Sequence, residues 1–140
     1  MVDALNATLT WKGSLRFEAA VGAGHSLVLD SPAHPGHAGP SPMEVMLAAL
    51  AGCTAMDVAA ILERMREPPV ALRVEVRGER APTNPKRFTA LAFSYHVTGH
   101  QLTREKVERA VELSHSTYCS ALASLRPDCA VTSSIEISEP

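Results

Sequence analysis

The chain has 140 residues, with 13 Lys and Arg against 15 Asp and Glu, so its formal charge is −2. This balance argues against a nucleic-acid-binding protein, because no surplus of cations is available to neutralise a phosphate backbone. Hydrophobic residues make up 46% and charged residues 20%, which is typical of a globular chain and excludes a disordered one. The length predicts a single domain over residues 1–140.

The N-terminus lacks a basic region followed by an apolar core, so we predict no signal peptide. No apolar run is predicted to approach the ~20 residues of a membrane-spanning helix. The three cysteines, Cys53, Cys119 and Cys129, are an odd number in a chain without an export signal, so we predict no disulfide framework. No two of them have the C-x(2–4)-C spacing of a recognisable zinc motif. We therefore expect a cytoplasmic protein whose thiols are either inert core groups or a reactive redox pair.

The first thirty residues are predicted to form a small antiparallel meander. Three short segments alternate apolar with polar residues, and turn signals at Gly13-Ser14 and Gly22-Ala23-Gly24 separate them. Residues 30–40 are rich in proline and glycine, so this segment is predicted to be a loop.

A long helix is predicted to begin after Ser41. Ser41 is the expected N-cap, Pro42 occupies the first helical position, and Glu44 completes a capping box. The segment Val45–Gly52 is apolar on every side, which predicts a central helix that is buried all round. Beyond this segment the helix becomes amphipathic, until a pair of prolines ends it.

Two alternating segments, Val70–Val76 and Leu91–Val97, predict a pair of strands. A helix capped by Thr103 and a shorter helix of roughly Thr117–Leu125 follow, and Val131–Ile137 is the last strand. The predicted order is βββ-α-ββ-αα-β. Because strands and helices do not alternate regularly, we predict the fold class α+β.

Cys53 and Cys119 occupy different predicted environments. Cys53 lies in the middle of the buried helix, whereas Cys119 falls within the first turn of the shorter helix, where backbone N–H groups and the helix dipole favour a thiolate. His115 lies one turn earlier and, if protonated, acts in the same direction. Cys129 begins the last strand and is interpreted as structural.

Two segments resemble those of a known family. GPSPMEVMLAALAGCTAMDV, from Gly39 to Val58, resembles the first-cysteine helix of the OsmC/Ohr family, the osmotically inducible and organic hydroperoxide resistance proteins. HSTYCSALASL resembles the second-cysteine segment of that family, and the predicted element order is the same. The resemblance implies an OsmC-like fold, with antiparallel sheets around a buried central helix, and an intertwined homodimer.

The resemblance also implies thiol peroxidase chemistry. Cys53 corresponds to the peroxidatic cysteine, which attacks an organic hydroperoxide, and Cys119 to the resolving cysteine, which forms a disulfide with it. A dithiol reductant, a lipoyl group in well-studied members, then restores both thiols. The prediction includes no cofactor, no metal and no nucleic-acid or membrane partner.

In the family, an arginine held by a glutamate supports the thiolate. Arg16 is the nearest match to that arginine, and Lys12 is an alternative cation. Glu44 is the motif glutamate, but it stands one place later than in the hydroperoxide-resistance subgroup, and the capping box already accounts for it. Asp57 lies one turn after the first cysteine on the same helix face, as a partner of Arg16 or as a surface residue.

Two further functions compete with the peroxidase prediction. The main alternative is a binding module with the same fold, which sequesters an apolar ligand and uses its thiols as a redox sensor. An apolar pocket around Met46, Leu47 and Leu50 suits either function. A structural zinc protein is the third alternative, which elemental analysis distinguishes.

Overall fold

The computed structural model of the chain describes residues 3–140. Its elements follow the predicted order: β1 (Ala7–Trp11), β2 (Phe17–Val21), β3 (His25–Leu29), α1 (Pro42–Arg64), β4 (Ala71–Arg80), β5 (Phe88–Thr98), α2 (Arg104–Leu113), a π-helical turn (Ser114–Tyr118), α3 (Ser120–Ala123) and β6 (Ala130–Ser138). Two three-stranded sheets and one long helix confirm the class α+β. The chain divides into a smaller unit that ends at Met46 and a larger unit from Leu47 to Pro140, and a single domain stays a prediction.

The N-terminal unit contains the predicted meander. Strands β1, β2 and β3 pair antiparallel in sequence order. Gly13, Gly22 and Gly24 have φ angles of 104°, 59° and 79°, which lie in the left-handed region that glycine adopts at low cost. The glycine turns therefore set the register of this sheet.

The larger unit is built on a sheet with strand order β4-β5-β6. Strand β5 pairs antiparallel with β4 and parallel with β6, so the chain crosses over between them through α2, the π-helical turn and α3. On β5, the predicted inward face is confirmed, since Leu91, Phe93, Tyr95 and Val97 are each at most 1% exposed. The crossover carries the second-cysteine segment over this buried face.

Helix α1 begins as predicted. The backbone N–H of Glu44 donates to Ser41 Oγ at 3.3 Å, and the backbone N–H of Ser41 donates to Glu44 Oε1 at 3.0 Å. These reciprocal bonds satisfy donors that a helix N-terminus otherwise leaves free, so the capping box is confirmed.

The predicted cover of α1 on every side is not supplied by one chain. Within Val45–Gly52 only Leu50 is buried, while Met46 is 39% exposed and, one turn beyond the segment, Met56 is 75% exposed. The buried positions of the helix form one stripe, namely Leu50, Thr54, Val58, Ile61 and Leu62. One chain covers one face of the helix and leaves another apolar face open.

The length of α1 also corrects the expectation that no segment reaches membrane-spanning length. The helix has 23 residues, and its most apolar 18-residue window has a mean hydropathy of 2.0. Past Gly52 the helix continues through mostly apolar residues, and Asp57 is the only charged residue before Glu63. A single helix of this kind is weak evidence for a membrane protein, because the core helix of a globular domain meets the same criteria.

Candidate active site

The fold brings together the two cysteines that the motifs single out. The Sγ atoms of Cys53 and Cys119 and a carboxylate oxygen of Asp57 all lie within 4.8 Å of one another. Cys53 and Asp57 are four residues apart on α1 and share one helix face, while Cys119 lies between the π-helical turn and α3. Both thiols are free. This cluster, called the thiol cluster below, places two sulfurs from remote parts of the sequence side by side.

Cys119 lies at the N-cap of α3, one residue before the helix that was predicted to contain it. Its sulfur accepts a hydrogen bond from the backbone N–H of Leu122 at 3.3 Å. Only 4% of the residue is exposed. Burial raises the pKa of the Cys119 thiol to about 11, even though the Leu122 N–H acts in the opposite direction. The expectation of a favoured thiolate at Cys119 is therefore wrong, because desolvation outweighs the backbone N–H groups at the start of α3.

Cys53 is more accessible than Cys119. Cys53 is half-buried. The next residue, Thr54, is fully buried, and its hydroxyl donates a hydrogen bond to the carbonyl of Ala51 at 3.1 Å. Because the neighbouring side chain is fixed in the core, the helix position of Cys53 is fixed as well.

Asp57 is held by a buried hydroxyl. Ser114 Oγ donates to Asp57 Oδ2 at 2.9 Å, and Ser114 is fully buried at the start of the π-helical turn. The prediction of Asp57 as a surface residue is wrong, since its carboxylate is half-buried beside both thiols. The hydrogen bond between Ser114 and this carboxylate was not predicted from the sequence.

A hydrogen bond joins Tyr95 on β5 to His115, which lies four residues before Cys119. Tyr95 Oη and His115 Nε2 are 2.6 Å apart, and the His115 ring meets Phe93 edge-on at a centroid distance of 5.1 Å. Burial lowers the pKa of His115, so the imidazole is neutral at neutral pH. Protonation of His115, which is the condition for its support of a thiolate, is therefore disfavoured.

The role of Tyr95 was not predicted, although the sequence contains a signal for it. A tyrosine on the buried face of a strand needs a partner for its hydroxyl. Burial raises the pKa of Tyr95 to about 12, so the hydroxyl stays protonated and donates to the neutral imidazole. The pair anchors the segment that leads into Cys119.

Arg16 has a carboxylate partner that was not predicted. Its Nε donates to Asp30 Oδ2 at 2.9 Å, and its Nη2 donates to the carbonyl of Gly36 at 3.1 Å. Asp30 is buried, and bonds from the Ala38 N–H, from Arg16 and from the Ser31 N–H lower its pKa to about 2. Arg16 is therefore fixed as a cation within the N-terminal unit.

Glu44 is occupied by the helix cap. The hydrogen bonds from the backbone and hydroxyl of Ser41 lower the pKa of its carboxyl group. Among residues 3–46, no ion pair joins Arg16 to Glu44. Both residues lie in the N-terminal unit and the thiols lie in the larger one, so the functional roles of Arg16 and Glu44 stay predictions.

Each unit also has a cavity of its own. In the N-terminal unit an apolar cavity of about 370 Å³ is lined by Leu9, Leu15, Phe17, Leu29, Asp30, Ser31 and Pro42. In the larger unit a groove of about 960 Å³ runs between the crossover and β6, and its lining includes His115 and Cys129. Of the residues expected to line an apolar pocket, Leu50 is only 2% exposed and belongs to the core.

Comparison with known proteins gives a consistent result. Residues 34–134 match the family described as OsmC-like protein. Protein YhfA of Escherichia coli K12 is 35% identical over 133 residues, which are 95% of this chain and 98% of YhfA. A hypothetical protein from Aquifex aeolicus VF5 superposes with a TM-score of 0.89 at 23% identity, over 99% of each chain. The organic hydroperoxide resistance protein OhrB of Bacillus subtilis superposes with a TM-score of 0.65 at 17% identity, over 94% of this chain and 98% of that one.

Proposed function

This chain belongs to the OsmC-like family, and from that premise we propose that it is a two-cysteine thiol peroxidase that reduces organic hydroperoxides. The observation that carries the proposal is the approach of the Cys53 and Cys119 sulfurs to within 4.8 Å. The likeness in fold to a protein named for organic hydroperoxide resistance supports the class of substrate.

Cys53 is the proposed peroxidatic residue because it is the more exposed thiol of the pair. Its thiolate attacks one oxygen of the hydroperoxide, the O–O bond breaks, and the other oxygen leaves as an alcohol after taking up a proton. The sulfur becomes a sulfenic acid. The hydroperoxide gains the two electrons that the sulfur loses.

Cys119 is the proposed resolving residue. Its raised pKa keeps it a thiol at neutral pH, so it is a poor nucleophile toward the hydroperoxide. Oxidation of the neighbouring sulfur supplies the electrophile with which it reacts. It then condenses with the sulfenic acid, the two sulfurs form a disulfide, and water leaves. A dithiol, such as a lipoyl group, reduces the disulfide by exchange and returns both thiols.

Arg16 remains the proposed cation that supports the Cys53 thiolate, as in the family. Asp30 now joins the proposal as the carboxylate that holds Arg16, because the two form an ion pair at 2.9 Å. Glu44 keeps its proposed place in the catalytic set alongside its role in the cap. Replacing Arg16 with Ala is expected to reduce turnover, whereas replacing the exposed Lys12 with Ala is expected to leave it unchanged.

A cytoplasmic location and a homodimer are part of the same proposal. Free thiols persist in a reducing compartment. The open apolar face of α1, with Met56 75% exposed, supports an interface with a second copy of the chain. Light scattering is then expected to give twice the chain mass of 14.9 kDa.

A charged residue introduced on the open apolar face of α1 tests whether this face forms the homodimer interface. Met56→Lys is expected to shift the mass towards one chain, whereas Glu63→Lys, which adds a lysine to an already exposed position of the same helix, is expected to keep the dimer. An active monomer in the unmodified protein would contradict the homodimer.

The test of the function itself is a steady-state assay with cumene hydroperoxide and dihydrolipoamide, using dithiol in large excess over protein. Catalytic consumption of hydroperoxide over many protein equivalents is the expected result. Consumption that stops at one equivalent, or none, would contradict a peroxidase.

The apolar cavity of about 370 Å³ in the N-terminal unit favours a second candidate function, the binding of an apolar ligand. Under this alternative the thiols report the redox state and do not turn over. A fluorescent fatty acid titrated into the protein is expected to bind with one site per chain if the alternative holds, and Leu29→Glu at the cavity is expected to abolish that binding.

A further inference from the structure

The thiol cluster contains the donor set of a metal site, and we propose that Cys53, Asp57 and Cys119 bind Zn²⁺ when the thiols are reduced. Two sulfurs and a carboxylate oxygen lie within 4.8 Å of one another. Thiolate and carboxylate are both ordinary ligands of Zn²⁺, and the two thiolates favour it over the hard cations Mg²⁺ and Ca²⁺. The spacing of residues in the sequence did not predict these three ligands, because Cys119 lies far from the two ligands on α1.

The distances suit a tetrahedral ion after a small adjustment. With Zn–S bonds of ~2.3 Å, two sulfurs of a tetrahedral site are roughly 3.8 Å apart. The observed limit of 4.8 Å leaves about 1 Å or less to close. Cys53 and Asp57 are four residues apart on α1, the same helical spacing as the paired histidines of H-E-x-x-H zinc sites.

Hydrogen bonds already hold two of the three ligands. Ser114 Oγ binds Asp57 Oδ2 at 2.9 Å, which leaves the other carboxylate oxygen for the ion. The Leu122 N–H binds Cys119 Sγ at 3.3 Å. Such outer contacts orient metal ligands and strengthen binding. Three protein ligands leave a fourth position for water, as in open rather than closed structural zinc sites.

Metal binding and disulfide formation exclude each other, since both use the two sulfurs. An organic hydroperoxide that oxidises the bound pair takes two electrons from the two thiolates and, with two protons, becomes alcohol and water. The sulfurs join as a disulfide and the ion leaves, because a disulfide is a poor ligand. This consequence rests on the proposed peroxidase function, whereas the metal site does not.

The test is a titration of the reduced, full-length protein with Co²⁺, followed by thiolate-to-cobalt charge-transfer absorption, with Zn²⁺ added to displace the cobalt. One ion per chain is expected. Cys53→Ser and Cys119→Ser should each abolish the band, and the matched control Cys129→Ser should keep it. Asp57→Asn and Ser114→Ala should each weaken binding by about tenfold or more.

The absence of a cobalt–thiolate band in the unmodified protein would overturn the proposal. A band that survives in Cys53→Ser, or that Asp57→Asn leaves at full affinity, would overturn it as well.

A second measurement needs no variant. Zn²⁺ is expected to slow the alkylation of Cys53 by iodoacetamide at least tenfold, and to leave the rate at Cys129 unchanged, with both rates read by mass spectrometry. Equal protection of both cysteines would refute a site at the cluster. Cobalt binding without hydroperoxide turnover would refute the peroxidase and keep the metal site, and turnover without cobalt binding would do the reverse.

Discussion

The segments around Cys53 and Cys119 present the same thiol group in two different environments. Cys53 lies half-buried in the middle of a 23-residue helix. Cys119 is 4% exposed at the start of a four-residue helix, and the Tyr95–His115 bond fixes the turn before it. The Cys53 sulfur is therefore accessible from solvent. The Cys119 sulfur is shielded from solvent but lies within 4.8 Å of the Cys53 sulfur. This difference in access is the basis for assigning the two sulfurs different chemical roles.

The largest expected effect comes from removing the accessible thiol. Cys53→Ser should reduce hydroperoxide turnover by about three orders of magnitude or more, because no other thiol of the cluster is exposed enough to replace the nucleophile. The steady-state assay measures the loss, and Cys129→Ser serves as the control with unchanged turnover. Multiple turnover by Cys53→Ser would reverse the two roles.

Removing the buried thiol should stop the cycle at a later step. Cys119→Ser should consume about one hydroperoxide per chain and then stall, since the sulfenic acid on Cys53 lacks its partner. Dimedone labelling with mass spectrometry should find the sulfenic acid on Cys53. In the unmodified protein, peptide mapping should find a Cys53–Cys119 disulfide, and a linkage to Cys129 would show that the resolving residue is misassigned.

The anchor of the Cys119 segment provides a third comparison. Tyr95→Phe removes a buried hydroxyl that bonds His115 at 2.6 Å, so it should lower the free energy of unfolding by about 1–3 kcal/mol. Tyr118→Phe, in the same segment but 55% exposed, should change it by about 0.5 kcal/mol or less. Urea unfolding measures both.

Tyr95→Phe also separates the formation of the sulfenic acid on Cys53 from the formation of the disulfide with Cys119. Tyr95→Phe should slow disulfide formation while sulfenic acid formation at Cys53 keeps its rate, because only the second step depends on the position of Cys119. Equal slowing of both steps would show that the tyrosine acts on the cluster as a whole.

The smallest expected effect is a dependence of stability on pH through His115. Burial lowers its pKa below the ordinary value of 6.5, so the unfolded chain binds the proton first as the pH falls. Stability is therefore complete above pH 6.5 and declines below it, until the folded-state pKa is reached, by at most about 1.4 kcal/mol per pH unit. His115→Gln should flatten this slope in unfolding experiments between pH 5 and 7. An unchanged slope would assign the dependence to another group.

Local patterns in the sequence predicted the framework well. The alternation from Leu91 to Val97 gave the buried face of β5, and the Ser41–Glu44 motif gave the start of α1, because each depends on residues that are close in sequence. The family motifs led to Cys53 and Cys119, which the fold brings together.

Properties set by distant neighbours were not predictable in this way. The thiolate expected at Cys119 was wrong, and protonation of His115 is disfavoured, because burial of both side chains outweighs the effect of the helix end. The partners of Arg16 and Asp57 come from other elements, so no periodicity points to Asp30 or Ser114. The apolar pattern of α1 predicted that the helix needs cover on every side, but such a pattern does not tell whether the cover comes from the same chain or from a second copy.

The chain between the two cysteines contains β4, β5 and α2, which are most of the larger unit. A covalent link between Cys53 and Cys119 would close this long loop and remove conformational entropy from the unfolded chain, by about 4 kcal/mol in the loop-closure description. Oxidation would then raise the melting temperature of the larger unit, so heat resistance would record the redox history of the protein. A cell that degrades loosely folded chains would retain the oxidised form longer than the reduced one.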